Sequence, residues 1–281
     1  MNVLDGRKGK AYIYDDLKIK LDKLDTKLGL AVIQIGHDEA SDIYIRSKEK
    51  MAQELGYCFQ HIHFDDDVKE EEVIDAIEKL NSDDSVDGIL LQLPIPSRLD
   101  AKRILNAIDS VKDVDGLTDI NAGKLFHGSD CLVSCTAMGV IDLLKMNDIL
   151  IDGKCVVIVG RSDLVGKPLA SLMLNSNATV ILCHSKTRDI EEYTRKADIL
   201  ISAIGCPKFV RRDMIKDGAI VIDVGTNKTV DSIVGDVDFD SVKEVASYIT
   251  PVPGGIGQMT IAELAKNVYK AHVFRKSVST K

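Results

Sequence analysis

The sequence predicts an α/β protein built as two domains, and three observations carry that prediction. Short β-rich runs alternate with segments of helical period, the pattern of βαβ units and a parallel sheet. The alternation comes in two series, separated by a helical stretch near residues 137–147. The length of 281 residues suits one large domain or two modest ones.

In the first series, Gly29 to Ile35 (GLAVIQI) is a largely apolar run of strand length. Asp38 to Leu55 has helical period, and Gly56 supplies a stop. Tyr57 to Phe64 alternates like a strand, and Lys69 to Leu80 is an amphipathic helix. Gly88 to Leu93 (GILLQL) is a second buried strand, closed by Pro94 and Pro96. In the second series, Cys155 to Val159 is a strand, followed by a helix starting near Lys167 and Pro168, where proline suits the first turn. Thr179 to Cys183, Asp198 to Ala203 and Ala219 to Val224 are further strands. A last long helix runs from about Met259 towards Arg275 and is expected to pack back on the first domain.

Composition narrows the function classes. Hydrophobic residues make up 45% of the chain, enough for a core, and the formal net charge of -8 disfavours nucleic acid. MNVLDGRKGK lacks the apolar centre of a signal peptide, and no apolar run approaches the ~20 residues of a membrane span. The six cysteines form no CxxC pair, which suits reduced thiols in a cytoplasmic protein.

The stretch VVIVGRSDLVGKPLA, Val156 to Ala170, reads as strand, glycine turn and helix start. Gly160 permits a sharp turn and close approach of a phosphate; Gly166 opens a helix whose free N–H groups attract anions. The spacing is G-x5-G, so a plain βα turn is the competing reading. The next strand ends Cys183-His184-Ser185-Lys186-Thr187-Arg188, without the acidic residue that binds the ribose of NAD. Ser185 and Arg161 instead suit the additional phosphate of NADP, and a solvated loop end is the alternative.

Ser41, Tyr44 and Lys48 fall on one face of the first helix of this series. A lysine near a tyrosine can share a proton and serve in acid/base work; a solvated charged face is the alternative. Gln92 lies at the end of a buried strand, where open sheets meet ligands. Asp115 sits in the glycine turn KDVDGLT, where a carboxylate can hold an amino-pyrimidine edge or close an ordinary Asx turn. His61 and His63 share one strand face in the manner of metal ligands. The sequence places no third ligand, so they read as surface histidines.

Taken in order, LDGR at Leu4, EASDIYIRSKEK, DGILLQLPIP, KDVDGLT, GRSDLVGKP, CHSKT, GAIVIDVG and ITPVPGGIGQMT resemble the bifunctional methylenetetrahydrofolate dehydrogenase/methenyltetrahydrofolate cyclohydrolase family over nearly the whole chain. The resemblance implies two domains around a cleft, usually in a homodimer: a folate-binding domain at 1–118 with helix 258–281, and a Rossmann domain at 119–257. It implies NADP-dependent oxidation of 5,10-methylenetetrahydrofolate, then hydrolysis to 10-formyltetrahydrofolate. It makes Lys48 catalytic with Tyr44 and Gln92, and assigns substrate binding to Ser41, Tyr44, Asp115, Pro253, Gly254 and Gly255. It assigns the cofactor to Gly160, Arg161, Ser162, Val165, Gly166, Ser185, Gly205 and Gly225, and no metal.

The chain departs from the family pattern at Ser134 and Ala137, which replace prolines, at Glu39-Ala40-Ser41, and at Gln258, also a proline position. Gln258 is expected to loosen the 253–257 loop, so that proline there would stabilise it. Two competing readings are a shikimate-dehydrogenase-like enzyme and a folate- or nucleotide-binding regulator without turnover.

Overall fold

The computed structural model describes residues 1–229 and 232–278, without the side chains of Glu39, Ala40 and Val278. In chain order the elements are β1 (Asn2–Val3), α1 (Gly6–Leu21), β2 (Gly29–Ile35), α2 (Glu39–Leu55), β3 (Cys58–Phe64), α3 (Glu70–Ser82), β4 (Gly88–Leu91), α4 (Ala101–Asn106), α5 (Asp119–Phe126) and α6 (Cys135–Lys145). They continue with β5 (Cys155–Val159), α7 (Gly166–Asn175), β6 (Thr179–Cys183), α8 (Ile190–Thr194), β7 (Ile199–Ser202), β8 (Ile220–Asp223), β9 (Asn227–Lys228), β10 (Ile233–Val234), α9 (Phe239–Val242), β11 (Tyr248–Ile249) and α10 (Ile256–Val278).

The chain forms two compact α/β units. The first comprises Tyr12–Cys135 together with α10 from Ile261 onward. Its sheet is parallel, in the order β3-β2-β4, with Leu30 opposite both Phe59 and Gly88. Both β2 and β4 are wholly buried, in keeping with their largely apolar runs. Ile33, Leu91, Val73, Ile77 and Ile104 form the centre of this core. Strand β3 is the edge, and its exposed positions carry Cys58, Gln60, His61 and His63.

Asp87, at the start of β4, fastens the last helix to this unit. Its Oδ2 accepts the Gly29 N–H at 2.9 Å, while Oδ1 accepts from Arg275 Nη1 at 2.8 Å and pairs with His272 Nδ1 at 2.9 Å. Residues 279–281 of the helix expected at 258–281 lie outside the described residues.

The second unit comprises Met1–Ala11 and Thr136–Thr260. Its sheet is parallel, in the order β1-β11-β8-β7-β5-β6, around a core that includes Val157, Val159, Leu200, Val221 and Ile249. Because β5 is flanked by β6 on one side and β7 on the other, the strand order reverses there. Ligands of open parallel sheets bind at such a point, beyond the carboxyl ends of the strands.

These boundaries differ from a division at residue 118. Residues 119–135 stay with the first unit, where Asn121 Nδ2 donates to Ser110 O and to Asp113 Oδ2 at 2.8 and 2.9 Å. The first eleven residues join the second unit because β1 pairs with β11, Asn2 opposite Tyr248. A two-residue strand has too little pattern to be read from sequence. The short antiparallel β9–β10 pair was not foreseen either.

Candidate active site

Helix α2 sets the first part of the site. Asp38 caps it, its Oδ1 accepting the Ser41 N–H at 2.8 Å, and Gly56 closes it in the left-handed conformation (φ 73°). Gln34, buried on β2, donates from Nε2 to Asp42 Oδ1 at 2.8 Å and accepts from His61 Nε2 at 2.9 Å. The helix is thereby tied to β2 and β3. The Ser41 hydroxyl is buried without a hydrogen-bond partner among the described residues. A buried unsatisfied hydroxyl is costly. Tyr44 is 44% exposed, an open aromatic face one turn before Lys48.

Lys48 is buried, and its Nζ donates to Gln92 Oε1 at 2.6 Å. Among the described residues it makes no hydrogen bond to Tyr44, so the tyrosine–lysine link read from helical spacing is replaced by lysine–glutamine. The Gln92 amide is oriented by its other end, which donates to Leu93 O at 2.6 Å. Gln92 follows β4 and still donates its backbone N–H to Ile33 O at 2.8 Å, which fixes its place at the sheet end. Burial pushes the Lys48 amine below the usual lysine range; the charge of Asp115 pulls the other way.

Asp115 is presented by the turn at residues 112–118. Buried Asp113 holds the turn, accepting the N–H groups of Leu117 and Thr118 at 3.1 and 2.8 Å. Gly116 has φ +65°, and a Cβ there would lie 2.5 Å from the Val133 carbonyl carbon. Burial raises the Asp115 carboxyl above its usual range, with Lys48 opposing and Asp113 adding to the rise.

Two residues of this cluster were not singled out as site residues from the sequence. Cys135 donates its thiol to Val114 O at 3.2 Å, and burial, then Asp115 and Glu263, push that thiol well up, so it remains neutral. Asn267 of α10 donates to Val114 O and Val133 O, both at 2.8 Å, stitching the Asp115 turn to the segment before α6. Asn267 shares its face of α10 with Thr260, Glu263 and Lys270, so helical period alone does not single it out. The first unit therefore brings together Lys48, Gln92, Asp115 and Cys135, with Ser41 two turns before Lys48 on α2. What it can do chemically is exchange a proton at a buried amine held by an amide oxygen, within the electrostatic reach of a buried carboxyl group.

The second unit carries the remaining expected residues. Gly160 has φ +128°, and a Cβ on it would meet Ala203 O at 2.3 Å; one on Gly166 would meet Gly160 O at 2.2 Å. The glycines are thus required where the strand order reverses, beside the start of α7. Ser162 Oγ accepts from Val165 N at 3.2 Å, so these two residues organise the turn itself. Arg161 and Ser185 are exposed, and neither side chain hydrogen-bonds within the described residues.

Gly205 donates its N–H to Asp236 Oδ2 at 3.2 Å, and the same carboxylate accepts from Ile204 N and Cys206 N at 2.8 and 2.9 Å. A Cβ on Gly225 would lie 2.2 Å from that Asp236 carboxyl group. Asp236 was not foreseen: it organises the loop after β7 from a distant turn.

Pro253 to Gly255 precede α10. Gly254 has φ +108° and accepts the Gly6 N–H at 2.9 Å. Gln258 donates its N–H to Gly255 O at 3.1 Å inside the first turn of α10. Proline there would delete that bond, which counters the expected gain from rigidity.

Residues 4–115 match the family model for the tetrahydrofolate dehydrogenase/cyclohydrolase catalytic domain, and residues 134–276 match that for the NAD(P)-binding domain. A bifunctional FolD protein of Clostridium novyi is 48% identical over 269 residues, 94% of this chain and 97% of that protein. The structure of the Campylobacter jejuni FolD dehydrogenase/cyclohydrolase superposes with a TM-score of 0.96 at 45% identity, covering 98% of this chain and 99% of that one. A Trypanosoma brucei enzyme, complexed with NADP and an inhibitor, gives 0.92 at 37% identity, covering 98% of each chain. Shikimate dehydrogenase of Aquifex aeolicus shares the fold alone, with a TM-score of 0.51 at 15% identity over 88% of this chain and 98% of that one.

Proposed function

The chain belongs to the tetrahydrofolate dehydrogenase/cyclohydrolase family, and on that premise we propose that Lys48 moves the protons of its hydrolytic reaction while Gln92 and Asp115 hold the reacting groups. The enzyme oxidises 5,10-methylenetetrahydrofolate with NADP and hydrolyses the methenyl product to 10-formyltetrahydrofolate. The observation that carries the assignment is the buried contact between Lys48 Nζ and Gln92 Oε1.

In the oxidative step the two folate nitrogens stabilise the cation left at the carbon between them. The protein has mainly to align the partners. NADP, when bound, supplies the hydride acceptor. In the hydrolytic step water adds to the methenyl carbon and a ring C–N bond opens, so protons must leave one atom and reach another. An amine whose pKa burial lowers gives up and takes up a proton more readily than an ordinary lysine. A neutral amide acceptor orients it without fixing its charge. Asp115 is the group for the amino-pyrimidine edge of the pterin, Tyr44 offers an exposed ring to stack on it, and the unpartnered Ser41 hydroxyl is a further ligand contact. Pro253 to Gly255 are assigned to the substrate as well.

The residues fit NADP. Gly160 and Gly166 let the β5–α7 turn pack closely on the backbone of Ala203 and of Gly160 itself, where a Cβ would clash, and this tight turn leads into the start of α7. The end of β6 offers Ser185, Lys186 and Arg188 where an acid would favour NAD. Gly160, Arg161, Ser162, Val165, Gly166, Ser185, Gly205 and Gly225 are the proposed cofactor set. A homodimer is supported by β3, the edge strand of its sheet among the described residues, since an edge strand can pair with a second copy. The free thiols suit a reducing cytoplasm, and the net charge of -8 supports a partner other than nucleic acid. No described helix is long and apolar enough to cross a membrane.

The test is to mix the protein with NADP and methylenetetrahydrofolate. NADPH absorbance should rise and 10-formyltetrahydrofolate should follow. No NADPH would remove the oxidative activity, and persistent methenyl product would remove the hydrolytic one.

A further inference from the structure

We propose that His37, His63 and Asp65 form a binding site for one divalent transition-metal ion of the zinc type, on the exposed rim where β2 and β3 end. These strands run in parallel register, Gln34 opposite His63 and Ile35 opposite Phe64, so the residues that follow them leave the sheet side by side. Gly36 turns with φ +75° and brings His37 towards His63, with ring centroids 4.5 Å apart. One ligand atom from each of His37, His63 and Asp65 lies within 4.8 Å of the other two. Tetrahedral zinc, with bonds of about 2.0–2.2 Å, needs donors roughly 3.3 Å apart. All three side chains are exposed, so small rotations close that gap.

The surroundings are partly set for a metal. His63 Nε2 lies 3.1 Å from Gly36 O. A carbonyl only accepts, so Nε2 carries the proton and the Nδ1 lone pair is left for a ligand bond. A backbone carbonyl behind a ligating imidazole is the usual way of fixing its tautomer. The turn after β3 is pinned by Arg98, whose Nε donates to Asp66 O at 2.8 Å and whose Nη2 donates to Val68 O at 2.7 Å. The Asp66 carboxylate lies against the Gly36 α-carbon, adding negative charge beside the cluster. His61 takes no part, since its Nε2 is committed to Gln34. Two imidazoles and a carboxylate select a borderline metal such as Zn²⁺, with water completing the shell. Mg²⁺ and Ca²⁺ demand oxygen donors throughout.

Such an ion would join the β2–α2 turn to the β3–α3 turn. The first of these carries Asp38, the cap of the helix that bears Ser41, Tyr44 and Lys48. The inference rests on these side chains alone, and not on the proposed reaction.

The experiment is calorimetric titration of the full chain with Zn²⁺, for wild type, for His37→Gln with His63→Gln, and for Cys58→Ser with Cys206→Ser. The last pair covers the exposed thiols, the other soft donors at the surface. Wild type should take up one equivalent saturably, and Zn²⁺ should raise its melting temperature. The histidine variant should lose at least ~10-fold in affinity, along with the melting shift. The cysteine variant should keep both. Both variants should keep wild-type dehydrogenase activity, which shows that they fold. Absence of saturable uptake by wild type, equal affinity in the histidine variant, or loss of uptake in the cysteine variant would each overturn the proposal.

Discussion

Lys48 Nζ lies 2.6 Å from Gln92 Oε1, and the two residues come from different parts of the sheet end, one on a helix and one just after a strand. The partner matters because it is neutral. A carboxylate at that distance would hold the lysine as an ammonium, whereas an amide oxygen leaves burial free to lower the amine.

Gln92→Glu should therefore raise the Lys48 pKa. The neutral amine then appears only at higher pH, so the pH at which hydrolysis reaches half its maximum should move upward by about one unit or more. An unchanged pH profile of cyclohydrolase activity would show that Gln92 does not set the lysine's charge.

Asp115→Ala should weaken both activities, because both need the pterin held. An unpaired pterin edge costs about 1–3 kcal/mol of binding. Fluorescence titration with a folate analogue checks this, and wild-type affinity in the variant would remove Asp115 from the site. The turn should survive, since Asp113 and not Asp115 accepts its backbone N–H groups.

Arg161→Ala combined with Ser185→Ala should reduce kcat/KM for NADP by roughly tenfold or more and leave that for NAD nearly unchanged. Each charge-assisted hydrogen bond to a phosphate contributes ~1.5–3 kcal/mol. Equal losses with the two cofactors would mean that these side chains do not read the additional phosphate.

Asp223 predicts a pH dependence of stability. Burial lifts its carboxyl from 3.8 to about 6, even though it accepts from Gly225, Asp236 and Val237 N–H groups. The folded state thus binds the proton more tightly than the unfolded chain. That contribution is fully present below about pH 4 and is lost as pH rises through about 6; a shift of this size is of order 3 kcal/mol. Carbon-13 NMR of the Asp223 carboxyl should titrate near pH 6, and a midpoint below 4 would contradict the assignment.

The parallel strands were legible because short, largely apolar runs such as Gly29–Ile35 and Gly88–Leu91 have few other uses. Lys48, Gln92 and Asp115 were legible as separate motifs; the resemblance makes Gln92 the support of Lys48, but residue spacing alone does not show their contact. Helical spacing pairs Lys48 with Tyr44, whereas the tertiary fold brings Gln92 to it across the sheet. Cys135, Asn267 and Asp236 act through loops that the sequence does not place beside one another. The last helix, expected from residue 258, starts at Ile256, so the Gln258 N–H lies within its first turn and bonds to Gly255 O.

The most direct measurement is of both reactions on Lys48→Met, which keeps the apolar stem and removes the ammonium. Cyclohydrolase activity should fall ~10²–10⁴-fold, the usual cost of losing a positioned acid/base. Dehydrogenase activity should fall much less, so that methenyltetrahydrofolate accumulates. An equal loss in the two reactions, expressed through KM, would mean that Lys48 only attracts the anionic folate and would contradict its role in proton transfer.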